Sequence, residues 1–253
     1  MPFVDRDGVK IYYEEAGSGP AIVLGHAYSS SGRMWDAFAE AFKGSYHVIT
    51  YDLRGHDRSD SPEAASQYSE DATIGDIDAI MKACGVDTAV LGGLSLGGYM
   101  SLAYYHAHPE LVRALILSST GPGFRNPAAR ENWNQMAENI ARGFEENGLA
   151  ALGRGAEVRA AQQRSAQGLA HAARGMLAQF DARVIESLDQ IEVPVLVLMG
   201  SRDQQYAAST DYMASKIPNV TKVVIDDAGH AANIHQPEAF NSAVRDFLIK
   251  SGI

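Results

Sequence analysis

Short apolar runs recur along this 253-residue chain, and they constrain its fold more than any other feature of the sequence. They lie at residues 21–25, 46–51, 88–92, 111–118, 193–200 and 221–225. A short run that is apolar on both sides is typical of a strand in a parallel sheet, because helices cover both faces of such a sheet. Helical patterns separate most of the runs, with Trp35, Phe38 and Phe42 as one example. This alternation predicts an α/β fold with an open, mainly parallel sheet.

Two further strands are predicted near the start of the chain, at residues 3–4 and 9–14. Asp7-Gly8 lies between them and suits a two-residue hairpin turn. Together with the six runs they give a mainly parallel, eight-stranded sheet flanked by helices. Such a sheet binds ligands outside the carboxyl ends of its strands. Polar residues follow three of the runs and are expected to meet at that edge: His26, Asp52 and Ser95.

The strand pattern is absent between residues 121 and 190. Apolar residues there have helical spacing, in one set at Trp133, Met136, Ile140 and Phe144 and in another at Leu169, Met176, Leu177 and Phe180. Seventy residues of helix are far more than a crossover between two strands needs. We therefore predict a helical cap at 121–190, inserted after the sixth strand, and an α/β core formed by 1–120 and 191–253. The alternative is a helical excursion that contributes only packing.

The composition limits the classes of function. The formal net charge is −10 and no block of Lys or Arg occurs, which argues against a nucleic-acid partner. The single cysteine, Cys84, excludes an intramolecular disulfide. The first residues lack the pattern of a signal peptide, and no apolar run approaches the roughly 18 residues of a membrane span. We therefore expect a soluble, cytoplasmic protein with no membrane partner.

One apolar run leads into a glycine-rich turn that contains a serine. The turn is Gly93-Leu94-Ser95-Leu96-Gly97, and a helix-like run follows it. A G-x-S-x-G pattern between a strand and a helix is typical of a nucleophile elbow, which presents one serine at the tip of a sharp turn. The glycines avoid clashes where backbones approach closely. The N-terminus of the following helix directs amide N–H groups towards a developing oxyanion.

A serine hydroxyl needs a general base, and histidine has a suitable pKa. Among eight histidines, His230 is the candidate because it lies in the loop after the last predicted strand, at the same edge as Ser95. The histidine needs a carboxylate that fixes its tautomer. Asp203, in the loop after the penultimate strand, is favoured for this role. Asp226 and Asp227 are alternatives, but they lie too near His230 in the same loop to reach round the imidazole easily.

Five motifs occur in order along the chain: Leu24-Gly25-His26, Tyr51-Asp52-Leu53-Arg54-Gly55-His56, Gly93-Leu94-Ser95-Leu96-Gly97-Gly98, residues 195–203 and Ala228-Gly229-His230. With them the chain resembles the α/β-hydrolase superfamily over nearly its whole length. It is most similar to the small capped esterases, the enol-lactonases and the cofactor-free haloperoxidase-like perhydrolases. The resemblance implies the α/β-hydrolase fold and an oxyanion hole formed by the backbone N–H groups of Tyr28 and Leu96. It implies no cofactor, and we find no cluster of metal ligands and no phosphate-binding glycine loop.

Two positions depart from the pattern that relatives usually have. Ala27 stands where a glycine usually follows the histidine of the oxyanion loop, which puts the direction of the Tyr28 N–H in question. Asp57 stands where relatives usually have the second glycine of a Gly-His-Gly turn. We expect this position to need only a turn conformation that aspartate tolerates.

The combined features predict a serine hydrolase that cleaves a small carboxylic ester or lactone, with Trp133 among the cap residues that bind the substrate. Carbon–carbon bond hydrolysis and other cofactor-free chemistry (perhydrolase, dioxygenase or lyase) are alternatives within the fold. A slow-turnover, ligand-binding sensor is an alternative of a different class. Serine at position 95 excludes relatives with aspartate there, namely haloalkane dehalogenases and epoxide hydrolases.

Overall fold

Eight strands form one sheet in the computed structural model, which describes residues 2–253. The strands are β1 (Phe3–Arg6), β2 (Val9–Ala16), β3 (Ala21–Gly25), β4 (His47–Tyr51), β5 (Ala89–Leu94), β6 (Val112–Ser118), β7 (Val195–Gly200) and β8 (Val220–Ile225). Their order across the sheet is β1-β2-β4-β3-β5-β6-β7-β8. β2 pairs antiparallel with β1 and with β4, and the pairs from β4 to β8 are parallel. The predicted sheet is therefore confirmed.

Ten α-helices accompany the sheet within the described residues. They are α1 (Asp36–Phe42), α2 (Glu70–Ala83), α3 (Leu96–Ala107), α4 (Pro127–Asn147), α5 (Ala156–Arg159), α6 (Ala166–Ala172), α7 (Arg183–Glu186), α8 (Gln204–Lys216), α9 (Ala232–His235) and α10 (Pro237–Lys250). Several of these helices begin after a residue whose side chain caps the first turn. Ser69, for example, caps α2 because its hydroxyl accepts a hydrogen bond from the Ala72 N–H at 3.0 Å.

The core has two layers, one on each face of the sheet. In β3, Ile22 and Leu24 face one layer and Val23 faces the other, because alternate residues of a strand point to opposite sides. Helices α1 and α10 cover the first face, and α2, α3 and α8 cover the second. β3, β5 and β7 are buried at every residue, which explains why these strands are apolar runs rather than alternating patterns.

The chain between β6 and β7 is mainly helical and contains α4 to α7. Phe144 of α4 packs against Leu169 of α6 in a small apolar cluster that is separate from the two layers of the core. Leu169, Met176 and Leu177 are buried as their spacing predicts, but Phe180 is not. Phe180 lies beyond the last helical turn and is 69% exposed, so its prediction as part of a helix face was wrong.

The carboxyl ends of the parallel strands position the candidate site. β3, β4, β5, β7 and β8 all end at the same edge because they are parallel, and the loops that follow them converge there. The segment between β6 and β7 reaches this edge, since the Tyr28 hydroxyl donates a hydrogen bond to the Leu169 carbonyl at 2.7 Å. Within residues 2–253, no helix combines the length and the apolar character that crossing a membrane requires.

Candidate active site

Ser95 lies between β5 and α3 in a strained backbone conformation. Its φ of 54° and ψ of −112° are unusual for a residue with a side chain. Two hydrogen bonds fix this conformation: the Ser95 N–H donates to the Ser118 carbonyl at 3.0 Å, and the Thr120 hydroxyl donates to the Ser95 carbonyl at 2.7 Å. The strand–turn–helix predicted for this segment is therefore present, and it directs the serine side chain towards the edge of the sheet.

The glycines on either side of Ser95 allow the close approach of β3. A Cβ atom at Gly93 would lie 2.5 Å from the Gly25 carbonyl oxygen, and one at Gly97 would lie 2.3 Å from the same atom. Both distances are far below van der Waals contact, so a side chain at either position would force the strand and the helix apart. The spacing of the G-x-S-x-G pattern therefore reflects a steric need for glycine.

His230 and Asp203 form a hydrogen-bonded pair. The His230 Nδ1 atom lies 2.9 Å from the Asp203 Oδ2 atom, and Asp203 is only 8% exposed at the start of α8. With Nδ1 donating to the carboxylate, the Nε2 atom of His230 is free to accept a proton. Asp227 forms an ion pair with Arg202 on the surface instead. Of the two loops considered, the β7 loop thus supplies the carboxylate that contacts His230.

Tyr206 contacts both Ser95 and His230. Its hydroxyl lies 3.3 Å from the Ser95 hydroxyl, and its ring stacks on the imidazole of His230 with centroids 5.0 Å apart. No hydrogen bond joins Ser95 to His230 directly in the part of the chain that the structure describes. Burial raises the pKa of the Tyr206 phenol, so the hydroxyl stays protonated at neutral pH.

Sequence reasoning missed Tyr206. No apolar spacing marks this residue, but α8 begins at Gln204 and places Tyr206 in its first turn. A tyrosine three residues after Asp203 was a signal, because the first turn of a helix that follows a strand lies at the same edge as the loop.

The resemblance implies an oxyanion hole formed by the backbone N–H groups of Tyr28 and Leu96, and neither N–H has an acceptor within residues 2–253. The Ala27 carbonyl accepts a hydrogen bond from the Ser30 N–H at 3.0 Å, and the residue of this loop with a positive φ is Ser29, at 55°. An alanine at position 27 therefore fits the loop without the conformation that would need glycine.

Two buried histidines lie behind this loop. The His26 Nε2 atom accepts a hydrogen bond from the Leu53 N–H at 2.9 Å, so the proton is on Nδ1, 2.7 Å from the Ala27 carbonyl. The ring of His56 packs against that of His26 with centroids 5.0 Å apart. Burial lowers the pKa of His26 to about 4 and that of His56 to about 3. Both imidazoles are therefore neutral at pH 7, and their contacts support the loop.

Asp52 holds the far end of the same loop. Its buried carboxylate accepts a hydrogen bond from the Gly32 N–H at 2.7 Å and another from the Arg58 Nε–H at 2.7 Å. The aspartate at the end of β4 therefore connects the loop after β3 to the turn after β4. This explains why a charged residue follows that apolar run.

A cavity of about 350 Å³ opens beside Ser95. Its wall includes Trp133 of α4, whose indole N–H donates to the Leu177 carbonyl at 2.8 Å. Tyr206 forms part of the wall as well, whereas His230 does not line the cavity. No Asp, Glu, Lys, Arg or His is among the described residues that line it. The cavity is thus a largely apolar space without charged side chains in its described wall, and Ser95 is part of that wall.

No group of three or more His, Cys, Asp and Glu side chains within residues 2–253 is arranged to hold a metal ion. The polar groups that converge at the edge of the sheet are instead a hydroxyl, an imidazole–carboxylate pair and two free amides. Such a set can activate an oxygen nucleophile and stabilise an oxyanion.

Comparison with known proteins agrees with the fold. A family model described as alpha/beta hydrolase fold matches residues 20–167, more than half of the chain. A thermophilic esterase from Thermogutta terrifontis, solved with malate bound, superimposes with a TM-score of 0.81 at 27% identity. That match covers 99% of this chain and 97% of the esterase.

Two relatives match over most of their length. A protein from Bacillus subtilis, named as a 2-succinyl-6-hydroxy-2,4-cyclohexadiene-1-carboxylate synthase, is 27% identical over 96% of this chain and 96% of its own. The 3-oxoadipate enol-lactonase 1 of Acinetobacter baylyi is 30% identical over 90% of this chain and 88% of its own. The family match and these relatives confirm the resemblance seen in the sequence, and the chain belongs to the α/β hydrolase family.

Proposed function

We propose that this protein is a serine hydrolase that cleaves a small, uncharged carboxylic ester or lactone through an acyl-enzyme on Ser95. The observation that carries the proposal is the convergence of a strained serine, a His230–Asp203 pair and two free amide groups at one edge of the sheet. The similarity to an esterase and to an enol-lactonase supports the same reaction class. In this proposal residues 121–190 form the cap that closes the site.

In the proposed mechanism, Ser95 Oγ attacks the carbonyl carbon while His230 Nε2 takes the hydroxyl proton. Asp203 holds the imidazole and stabilises the imidazolium that forms. Ser95 must first exchange its hydrogen bond with Tyr206 for one with His230, by rotation of its side chain. The Tyr28 and Leu96 amides stabilise the oxyanion, each by about 2.7–4 kcal/mol. His230 then protonates the leaving alcohol, and water cleaves the acyl-enzyme.

The cavity favours an uncharged substrate. No charged side chain is among its described lining residues, so a carboxylate that entered it would lose its hydration without gaining a partner. The names of the two relatives denote reactions of organic acids. We therefore propose that this chain shares the reaction class of the enol-lactonase and esterase but differs in the charge of its substrate.

Replacement of Ser95 tests the proposal. Ser95→Ala should abolish hydrolysis of p-nitrophenyl butyrate and labelling by a fluorophosphonate, because no other described side chain occupies the elbow. Ser209→Ala is the matched control, since Ser209 lines the same cavity and its hydroxyl bonds the Thr120 carbonyl at 3.0 Å. Hydrolysis that persists in Ser95→Ala would refute the proposal.

A second candidate is a ligand-binding protein that turns over too slowly for an enzymatic role. One observation favours it: the Ser95 hydroxyl is bonded to Tyr206 rather than to the candidate base. Active-site labelling separates the two functions, because a serine that does not exchange this bond reacts slowly with a fluorophosphonate. Complete labelling within minutes at micromolar probe would exclude the second candidate.

A further inference from the structure

Gln179 has a buried side-chain amide in the cavity. It is 7% exposed and lines the same space as Ser95. Its Oε1 atom has no hydrogen-bond partner within residues 2–253. A buried acceptor without a donor costs free energy, and a ligand that supplies the donor removes this cost.

The surroundings hold the Gln179 backbone in place. Its N–H donates to the Asn134 Oδ1 atom at 2.8 Å, and its carbonyl accepts from the Asn134 Nδ2 atom at 2.7 Å. This double contact ties the residue to α4. A Cβ atom at position 123 would lie 2.8 Å from Gln179 Oε1, so only a glycine at this position leaves enough room for the side-chain amide of Gln179.

Three other polar groups in the cavity wall already have partners. The Thr120 hydroxyl donates to the Ser95 carbonyl, and the Tyr99 hydroxyl donates to Glu70 at 2.8 Å. The Trp133 indole N–H donates to the Leu177 carbonyl. Gln179 differs from these three residues because its buried Oε1 atom has no donor within the described residues, so a ligand in the cavity can supply one.

The position of His230 indicates which part of a substrate reaches Gln179. His230 must protonate the leaving alcohol, so the alcohol lies on the His230 side of Ser95. Tyr206 stacks on His230 and also lines the cavity, whereas His230 itself does not line it. The acyl group therefore enters the cavity, where Gln179 lies.

We propose that Gln179 determines acyl specificity by hydrogen bonding a secondary amide within the acyl chain of the substrate. An amide offers the donor that Oε1 lacks and an acceptor for the Gln179 NH₂ group, and it carries no charge. The substrates are thus esters or lactones of N-acylated amino acids or similar amide-containing acids. This inference rests on the proposed hydrolase function and names the substrate class of the same site.

Three pairs of p-nitrophenyl esters test the inference. The amide-containing esters are those of N-acetylglycine, N-acetyl-β-alanine and N-acetyl-4-aminobutyrate, and their alkyl counterparts of equal chain length are the pentanoate, hexanoate and heptanoate. In the wild type, kcat/KM of at least one amide ester should exceed that of its alkyl counterpart. Gln179→Met, which has similar length and no hydrogen bond, should lower this ratio about fivefold to tenfold, the effect of one neutral hydrogen bond.

Gln205→Met is the matched control, because Gln205 is an exposed glutamine at the same cavity and should leave the ratio unchanged. An unchanged ratio in Gln179→Met for all three pairs would overturn the inference but leave the hydrolase function intact. Equal loss on amide and alkyl esters, with a lower melting temperature, would assign Gln179 a structural role and also overturn it. Failure of the wild type to cleave any of the six esters would overturn both the inference and the proposed function.

Discussion

The hydroxyl groups of Ser95 and Tyr206 lie 3.3 Å apart, and this contact takes the place of a hydrogen bond between Ser95 and His230. Tyr206 also stacks on the imidazole, so one side chain contacts both the proposed nucleophile and the proposed base. In the proposed mechanism the Ser95 hydroxyl therefore has two competing partners, Tyr206 and His230. The balance between them sets the fraction of molecules in which Ser95 is ready to react.

Removal of the Tyr206 hydroxyl should favour the reactive arrangement. Tyr206→Phe keeps the ring that stacks on His230 and eliminates the competing hydrogen bond, which is worth about 0.5–1.5 kcal/mol. The second-order rate constant for fluorophosphonate labelling should rise about threefold to tenfold. Tyr212→Phe is the control, since Tyr212 lines the same cavity without contacting Ser95. A slower reaction in Tyr206→Phe would instead show that the hydroxyl assists the serine.

Asp203 should be needed for the rate but not for substrate binding. Asp203→Asn keeps the size of the side chain but turns His230 to the wrong tautomer, because an amide NH₂ donates where the carboxylate accepted. We expect kcat for p-nitrophenyl butyrate to fall on the order of 10³–10⁴-fold with little change in KM. Asp227→Asn is the control, because Asp227 pairs with Arg202 at the surface. A larger loss in Asp227→Asn than in Asp203→Asn would reverse the assignment of the carboxylate.

The sequence predicted the sheet, and the edge of the sheet at which the candidate site lies, because both follow from local patterns. Apolar runs define strands, and the loops after parallel strands meet at one edge, which brings Asp203 close to His230. Tyr206 depended on where α8 begins, and helix ends are the least certain part of such a prediction. Gln179 lies in an irregular segment, where no periodicity indicates which way a side chain points. Its place in the cavity wall is therefore visible only in the tertiary structure.

Asp57 should stabilise residues 162–164, in the segment between β6 and β7. It has a φ of 38°, which aspartate tolerates, and its Oδ2 atom accepts a hydrogen bond from the Gln162 N–H at 3.1 Å. Its own N–H donates to the Gln163 Oε1 atom at 2.9 Å, and its carbonyl accepts from the Arg164 guanidinium. An aspartate where relatives usually have glycine therefore connects the turn after β4 to residues 162–164.

Asp57→Gly should loosen this connection without disturbing the turn, because glycine accepts a positive φ. Backbone amides of residues 162–164 should exchange hydrogen about tenfold faster, as expected for loss of one charged hydrogen bond. Asp60→Gly is the control, because Asp60 lies in the same turn but bonds the Lys10 N–H at 2.9 Å instead. Unchanged exchange at 162–164 in Asp57→Gly would show that other contacts hold the segment.

The two buried histidines should make the protein less stable as the pH falls. Burial lowers the pKa of His26 to about 4 and of His56 to about 3, whereas both titrate near 6.5 in the unfolded chain. Their stabilisation is therefore complete above pH 6.5 and is lost as the pH falls towards 4, where the unfolded chain binds up to two more protons. The free energy of unfolding should decrease by about 2.5 kcal/mol per pH unit near pH 5.

Urea unfolding between pH 5 and 7.5 measures this slope. His56→Leu removes one of the two titrating groups and should reduce the slope by about half. The variant should also be less stable at pH 7.5, because it loses the 3.1 Å contact between His56 Nδ1 and the Arg54 carbonyl. Glu138, whose pKa the neighbouring Arg174 and Arg142 lower to about 2, adds to the slope only below about pH 4.5. A wild-type stability that is constant between pH 5 and 6.5 would mean that the two imidazoles accept protons in the folded protein, and that the loop they support can open to water.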